Sequence, residues 1–146
     1  FKLPRPMINS GDLNFSFSGL KTAALTLASR EDGTPQTKAD IAAAFQQAIV
    51  EVLVAKSADA VSSAGLDQLV VAGGVGANRL LRETLAKKAA AGGFKVFYPT
   101  LDLCTDNGAM IAYAGAQRLE AGVIGTRGFS IRPRWELDEL RRPVTA

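Results

Sequence analysis

Leu69-Val70-Val71-Ala72-Gly73-Gly74-Val75-Gly76-Ala77-Asn78 decides how this chain is read. Four apolar residues bounded by turn residues read as a short strand covered on both faces. The strand runs into a glycine-rich turn. A helix carrying Leu80, Leu81, Leu85 and Ala89 follows and ends at Gly92-Gly93. Lys95-Val96-Phe97-Tyr98 is a second strand, stopped by Pro99. A loop then leads into a last helix that starts at Gly108 and ends near Gly122. Strand–helix–strand–helix order implies a parallel pair with a right-handed crossover, hence an α/β fold that is rich in helix. Two strands are too few for a sheet that stands alone, so the rest of the sheet is expected outside this chain.

Upstream of that unit, residues 1–14 are rich in Pro, Asn, Ser and Gly, and Pro4 and Pro6 block a helix, giving an extended lead-in. Ser16 or Ser18 can cap a helix over Leu20–Arg30 with Leu20, Ala23, Ala24 and Leu27 on one face. Residues 31–36 read as a turn. Thr37 with Asp40 resembles a capping box for a longer helix. In it Ile41, Phe45, Ala48, Ile49, Val52 and Leu53 form the apolar stripe, Gln46, Gln47 and Glu51 lie off it, and Gly65 is the stop. Residues 125–146 read as a loop-like tail, with Trp135 expected to pack back onto the body.

Composition narrows the chemistry. With 146 residues, 47% hydrophobic and 21% charged, the chain has the makings of one globular domain rather than a disordered segment. The absence of His excludes a Ser-His-Asp triad, a Cys-His pair and any His metal ligand within this chain. A single Cys excludes an internal disulfide and a Cys-based zinc cluster, and suits a reducing compartment. No stretch approaches the ~20 continuous apolar residues of a membrane span. The start, Phe1-Lys2-Leu3-Pro4, has neither an initiator Met nor the layout of a secretory signal; a processed protein and a piece of a longer chain both fit it.

The net charge of +3 is uneven. Lys2, Arg5, Lys21 and Arg30 against Asp12 make the first thirty residues basic, and five arginines against three acids do the same for residues 127–146. Basic ends suit nucleic acid phosphates, and equally suit solvated termini.

Three segments can carry chemistry. The turn at Gly73-Gly74 leaves backbone N–H groups at a positive helix end, outside the carboxyl end of a strand, where ligands of open α/β sheets bind. Asn78 adds an amide that both donates and accepts. A plain strand-to-helix turn with Asn78 as its cap explains the same residues, and the two readings stay open. The turn is neither a Walker A loop nor a Gly-x-Gly-x-x-Gly fingerprint. In Cys104-Thr105-Asp106-Asn107-Gly108, Thr105 can cap the last helix and Asp106 would stand in its first turn. Asp106 is then either a stabilising carboxylate or a functional one, a metal ligand or an anionic catalytic group, on the same sheet edge as Asn78. Phe15 to Thr22 places hydroxyls and Lys21 at a helix start, which suits an anion or, more simply, a cap above core aromatics. Cys104 has no basic neighbour in sequence and reads as a buried or inert thiol.

Taken together, Phe15-Ser16-Phe17-Ser18-Gly19-Leu20-Lys21-Thr22, Val71-Ala72-Gly73-Gly74-Val75-Gly76-Ala77-Asn78-Arg79, Cys104 to Tyr113, and Arg132-Pro133-Arg134-Trp135 carry a resemblance. They follow the order and spacing of the tRNA threonylcarbamoyladenosine transferases, once labelled O-sialoglycoprotein endopeptidases, and look like the bacterial branch. The resemblance implies part of an actin/sugar-kinase/Hsp70-like lobe, the C-terminal part of a two-lobe cytoplasmic enzyme. That enzyme moves a threonylcarbamoyl group from threonylcarbamoyl-AMP to the exocyclic amine of the adenosine beside the tRNA anticodon. It implies that Asn78, with Gly73 and Gly74, contacts the adenylate. It also implies that Asp106 is one ligand of a divalent metal, iron or alternatively zinc, that acts as Lewis acid and template.

The family's other metal ligands are two His of a His-x-x-x-His helix, which this chain lacks. The chain alone is therefore expected to be inactive and free of metal. The partners implied are the two substrates, a paralogous dimerisation subunit and a small ATPase, with no membrane, and an open sheet edge invites self-association. A nucleotide-binding or interaction module that needs a partner lobe is the alternative. The old metallopeptidase label requires a His-Glu-x-x-His motif that is absent.

Overall fold

The computed structural model describes residues 1–124, 128, 131 and 133–136. Its contacts divide the chain into two compact units, Phe1–Cys104 and Thr105–Ala146. The first holds helices α1 (Ser18–Arg30), α2 (Pro35–Ser63) and α3 (Arg79–Gly92) and strands β1 (Gln68–Val70) and β2 (Lys95–Phe97). The second holds α4 (Gly108–Glu120).

The strands pair in parallel, with Gln68 opposite Lys95, Leu69 opposite Val96 and Val70 opposite Phe97. Bonds from the Val71 N–H to the Phe97 carbonyl (2.9 Å) and from the Lys95 N–H to the Asp67 carbonyl (2.8 Å) extend the ladder at both ends. The fold is thus α/β and helix-rich, with a two-stranded parallel sheet. One expectation fails: β1 is covered on one face only. Leu69 and Val96 turn toward the core, whereas Val70 is 72% and Phe97 48% exposed. Strands alternate their side chains, so covering both faces takes a layer on each side, and within this unit the helices supply one.

Helix α2 is the spine. Val50, Val54, Ala58 and Val61 pack with Leu81, Leu85 and Ala89 of α3 and with Phe94. Ala48, flanked by Ala44, Phe45 and Ile49, packs with Leu20 of α1 and with Leu3. Buried residues therefore run around most of the helix rather than down one stripe, the pattern of a helix enclosed by its neighbours. By length and composition alone α2 is apolar enough to cross a membrane. Its circumference is instead engaged by two hydrophobic clusters and two ion pairs.

Those ion pairs fasten the lead-in. Arg5 Nε donates to Glu51 Oε2 at 2.6 Å. Lys56, only 3% exposed, donates from Nζ to Ser10 Oγ (2.7 Å) and to the carbonyl and carboxylate oxygens of Asp12. A buried ammonium is tolerable only when its donors are taken up in this way. Residues 1–14 contain no helix, as expected, but they are strapped to α2.

The caps differ from the sequence reading. Helix α1 begins after Phe17 with no side-chain cap, so neither Ser16 nor Ser18 serves. Helix α2 begins two residues before Thr37: Thr34 accepts from the Thr37 N–H, and Pro35 takes the first position, where its missing N–H costs nothing. The tail residues 125–127, 129, 130, 132 and 137–146, including Arg127, Arg132, Arg141 and Arg142, lie outside the described residues. Trp135 is 57% exposed.

Candidate functional site

After β1 the chain reverses through Gly73, whose φ of 81° lies in the region glycine alone enters freely. A single 3-10 turn, Gly74–Ala77, follows, closed by bonds from the Gly76 N–H to the Gly73 carbonyl (2.9 Å) and from the Asn78 N–H to the Val75 carbonyl (3.0 Å). Asn78 then opens α3. Its Oδ1 accepts from the Leu81 N–H at 3.0 Å, and its Nδ2 donates to Gln46 Oε1 of α2 at 3.3 Å. The cap reading of Asn78 is correct. The ligand reading is not displaced by it, since an amide has two N–H donors and only one is used among the described residues.

The amides of Gly74, Val75, Arg79 and Leu80 find no backbone or side-chain acceptor among the described residues. Gly73, Gly74 and Val75 are exposed. The structure thus brings Gly73, Gly74 and Asn78 onto one turn that offers free N–H groups at a helix N-terminus, a geometry suited to an anion such as a phosphate.

Arg82 was missed in the sequence. Its guanidinium donates from Nε to the Gly76 carbonyl (2.5 Å) and from Nη2 to the Pro99 carbonyl (3.2 Å). It lies 3.4 Å from Cys104 Sγ and stacks 4.5 Å above the Tyr98 ring. Cys104 is buried, as expected, but it does have a basic partner in space. The available signal was spacing: Arg82 is four residues beyond Asn78, on the same face of α3 and one turn along. Burial raises the Tyr98 phenol above its ordinary pKa, against an opposing pull from Arg82.

Asp106 belongs to the second unit. The cap assignments there change. Asn107 is the N-cap of α4, its Oδ1 accepting from the Met110 N–H at 3.0 Å, and Thr105 caps nothing. Asp106 therefore stands before the cap rather than in the first turn. It is exposed, and it makes no hydrogen bond or ion pair among the described residues. Its carboxylate makes no capping hydrogen bond, and it stands one residue before the cap, at the positive end of α4.

The residues present do not fit a metal by themselves. Among the described residues no group of three His, Cys, Asp or Glu side chains comes together. One carboxylate falls short of the ligand set that either iron or zinc requires.

The Phe15–Thr22 segment is structural at its start. Phe15 and Phe17 pack ring to ring at 5.8 Å, and Phe17 joins the cluster around Leu20. An apolar groove of about 420 Å³ between α1 and α2, lined by Ala24, Leu25, Ile41 and Phe45 among others, includes neither Asn78 nor Asp106.

Comparison with known proteins agrees with the resemblance. Residues 1–113 match the family model described as tRNA N6-adenosine threonylcarbamoyltransferase. A protein of that name from Nitrosospira multiformis is 58% identical over 141 residues, covering 94% of this chain and 41% of the relative. One from Methylobacillus flagellatus is 55% identical over 144 residues, covering 97% and 42%. One from Chromobacterium violaceum is 58% identical over 146 residues, covering 96% and 42%. The chain spans about two fifths of the length of these relatives. The match runs through the lead-in, the glycine turn and the start of α4, and on that ground the chain belongs to the tRNA N6-adenosine threonylcarbamoyltransferase family.

Proposed function

We propose that this chain is the adenylate-holding part of a threonylcarbamoyl transferase, a C-terminal portion of an actin/sugar-kinase/Hsp70-like enzyme. The observation that carries the reading is the Gly73–Asn78 turn, where free amides and a spare Asn78 N–H stand at the start of α3 in a chain of this family.

In the transfer, the exocyclic amine of a tRNA adenosine attacks the carbonyl carbon of threonylcarbamoyl-AMP. The carbon–oxygen bond to the phosphate breaks, AMP leaves with that oxygen, and the amine loses a proton. Negative charge grows on the departing phosphate. Fixed N–H groups aimed at that charge lower the barrier without having to reorganise. The role of this chain is to bind and orient the adenylate and to receive the charge of the leaving group.

Asp106 supplies at most one ligand to a metal, iron or zinc, whose remaining ligands would come from outside this chain; alone, the chain is metal-free and inactive. In the whole protein a paralogous subunit and a small ATPase are the expected partners, in the cytoplasm. A second reading, an interaction module completed by another lobe, is favoured by the paired, exposed Val70 and Phe97.

Substitution in the full-length protein carrying this sequence tests the assignment. Asp106→Ala loses bound metal and transfer, while Asn78→Ala chiefly raises KM for the adenylate. Full activity and full metal content in Asp106→Ala would remove Asp106 from the site.

A further inference from the structure

Two loops leave the carboxyl ends of the parallel strands: the Gly73–Asn78 turn after β1 and the Pro99–Cys104 segment after β2. No backbone hydrogen bond joins them beyond the ladder itself. One side chain does. Arg82 Nε holds the Gly76 carbonyl, Arg82 Nη2 holds the Pro99 carbonyl, and the flat face of the guanidinium rests on Tyr98. Gly76, the contact point on the first turn, is buried against Val71. The residue that reaches both loops is rooted in α3, whose Leu81 and Leu85 are fixed in the core on either side of it.

We propose that Arg82 is a positioning residue: it clamps the glycine turn to the second strand-end loop and so sets the direction of the turn's free amides before any ligand arrives. The inference rests on the reading of that turn as the adenylate loop. The chemistry calls for arginine. A planar fork donates in two directions while its face stacks on a ring, whereas a lysine ammonium is a point donor that cannot do both. Without the clamp, the turn keeps its own two backbone bonds and the Asn78 contacts but loses its tie to the second loop. The clamp need not touch ligand. It acts on affinity by sparing the ligand the cost of ordering the loop.

The test uses Arg82→Lys in the full-length protein, followed by amide hydrogen exchange and by titration with AMP. The expected result is faster exchange at the Gly76 and Asn78 amides without any ligand, unchanged exchange at Leu85 in the core, and AMP affinity about tenfold weaker. Arg82→Ala should be weaker still. Exchange and affinity equal to wild type in Arg82→Lys would overturn the proposal.

If Arg82→Lys fails to fold, the wild-type protein still decides. A clamped Arg82 shows a slowly exchanging Nε proton and hindered rotation of its guanidinium by nitrogen-15 NMR; a freely rotating guanidinium overturns the clamp. If AMP leaves the Gly74–Leu80 amide resonances of wild type unmoved, the adenylate reading fails on its own, because the unliganded exchange data still report on the clamp.

Discussion

At Asn78 one side chain performs two tasks that substitution can separate. Its carbonyl oxygen caps α3 and its amide nitrogen reaches Gln46. Asn78→Ala removes the cap and should lower stability by about 0.5–2 kcal/mol, read as a drop in midpoint in urea. Asn78→Asp keeps a good capping oxygen, with a charge the helix N-terminus favours, and Gln46 can turn its own amide to donate. It should unfold at the wild-type midpoint; a loss as large as that of Asn78→Ala would mean that the cap is not what the oxygen contributes. Tyr98 poses the opposite case. Its hydroxyl is buried with no hydrogen-bond partner among the described residues, while its ring supports Arg82. Tyr98→Phe keeps the ring and removes a donor that lost water for nothing. Thermal unfolding should show it equal to or more stable than wild type, and a clear destabilisation would show that the hydroxyl has a partner.

Among the elements, α3 and the strand order were legible because their signals are local: Leu81, Leu85 and Ala89 repeat at helical spacing, and the stop at Gly93 takes a positive φ of 73°. Helix α2 was only half legible. Its stripe through Ile41, Ala48 and Val52 was visible, but Val50, Val54 and Ala58 are buried by α3, a partner that sequence spacing does not name. Lys56 was invisible for the same reason. It reads as a surface lysine, and only the fold of residues 7–12 over it buries the charge. Arg82 was half legible: its spacing from Asn78 was visible, but its acceptor on Pro99 lies 17 residues away, on the far side of β2.

The strap makes a prediction about pH. A hydrogen bond from Ser10, with further bonds from the Asn14 backbone and Lys56, holds the Asp12 carboxyl below its ordinary pKa, and the Arg5 and Gln47 bonds do the same for Glu51. Both groups have depressed values in the folded chain, so their stabilisation is present above the ordinary carboxylate range and is lost as pH falls through the lowered values. Protection of the amides of residues 3–14, measured against their intrinsic exchange, should therefore be lost before that of α3 as pH falls below the ordinary carboxylate range. In Asp12→Asn that acid step should shrink; an unchanged step would locate the titrating group elsewhere.

As a whole, the chain spans about two fifths of the length of its relatives. Val70 and Phe97 stand paired and exposed on a two-stranded sheet, and no group of three His, Cys, Asp or Glu side chains comes together among the described residues. The family was legible from four motifs in order. The absence of a His ligand within this chain was legible too, because a composition can exclude a ligand without any knowledge of the fold. The face left open on β1 was not legible, since an apolar strand reads the same whether its second cover belongs to this chain or to another. The chain alone should transfer no threonylcarbamoyl group to tRNA when supplied with threonylcarbamoyl-AMP and metal, and transfer by it would show that the motifs here suffice.

The central claim is that the Gly73–Asn78 turn holds an adenylate, and calorimetric titration of AMP into the full-length protein and its Asn78→Asp variant tests it most directly. With the cap preserved and a negative charge set beside the phosphate site, the account predicts unchanged thermal stability and binding at least about tenfold weaker. Equal affinity in the two proteins would contradict it.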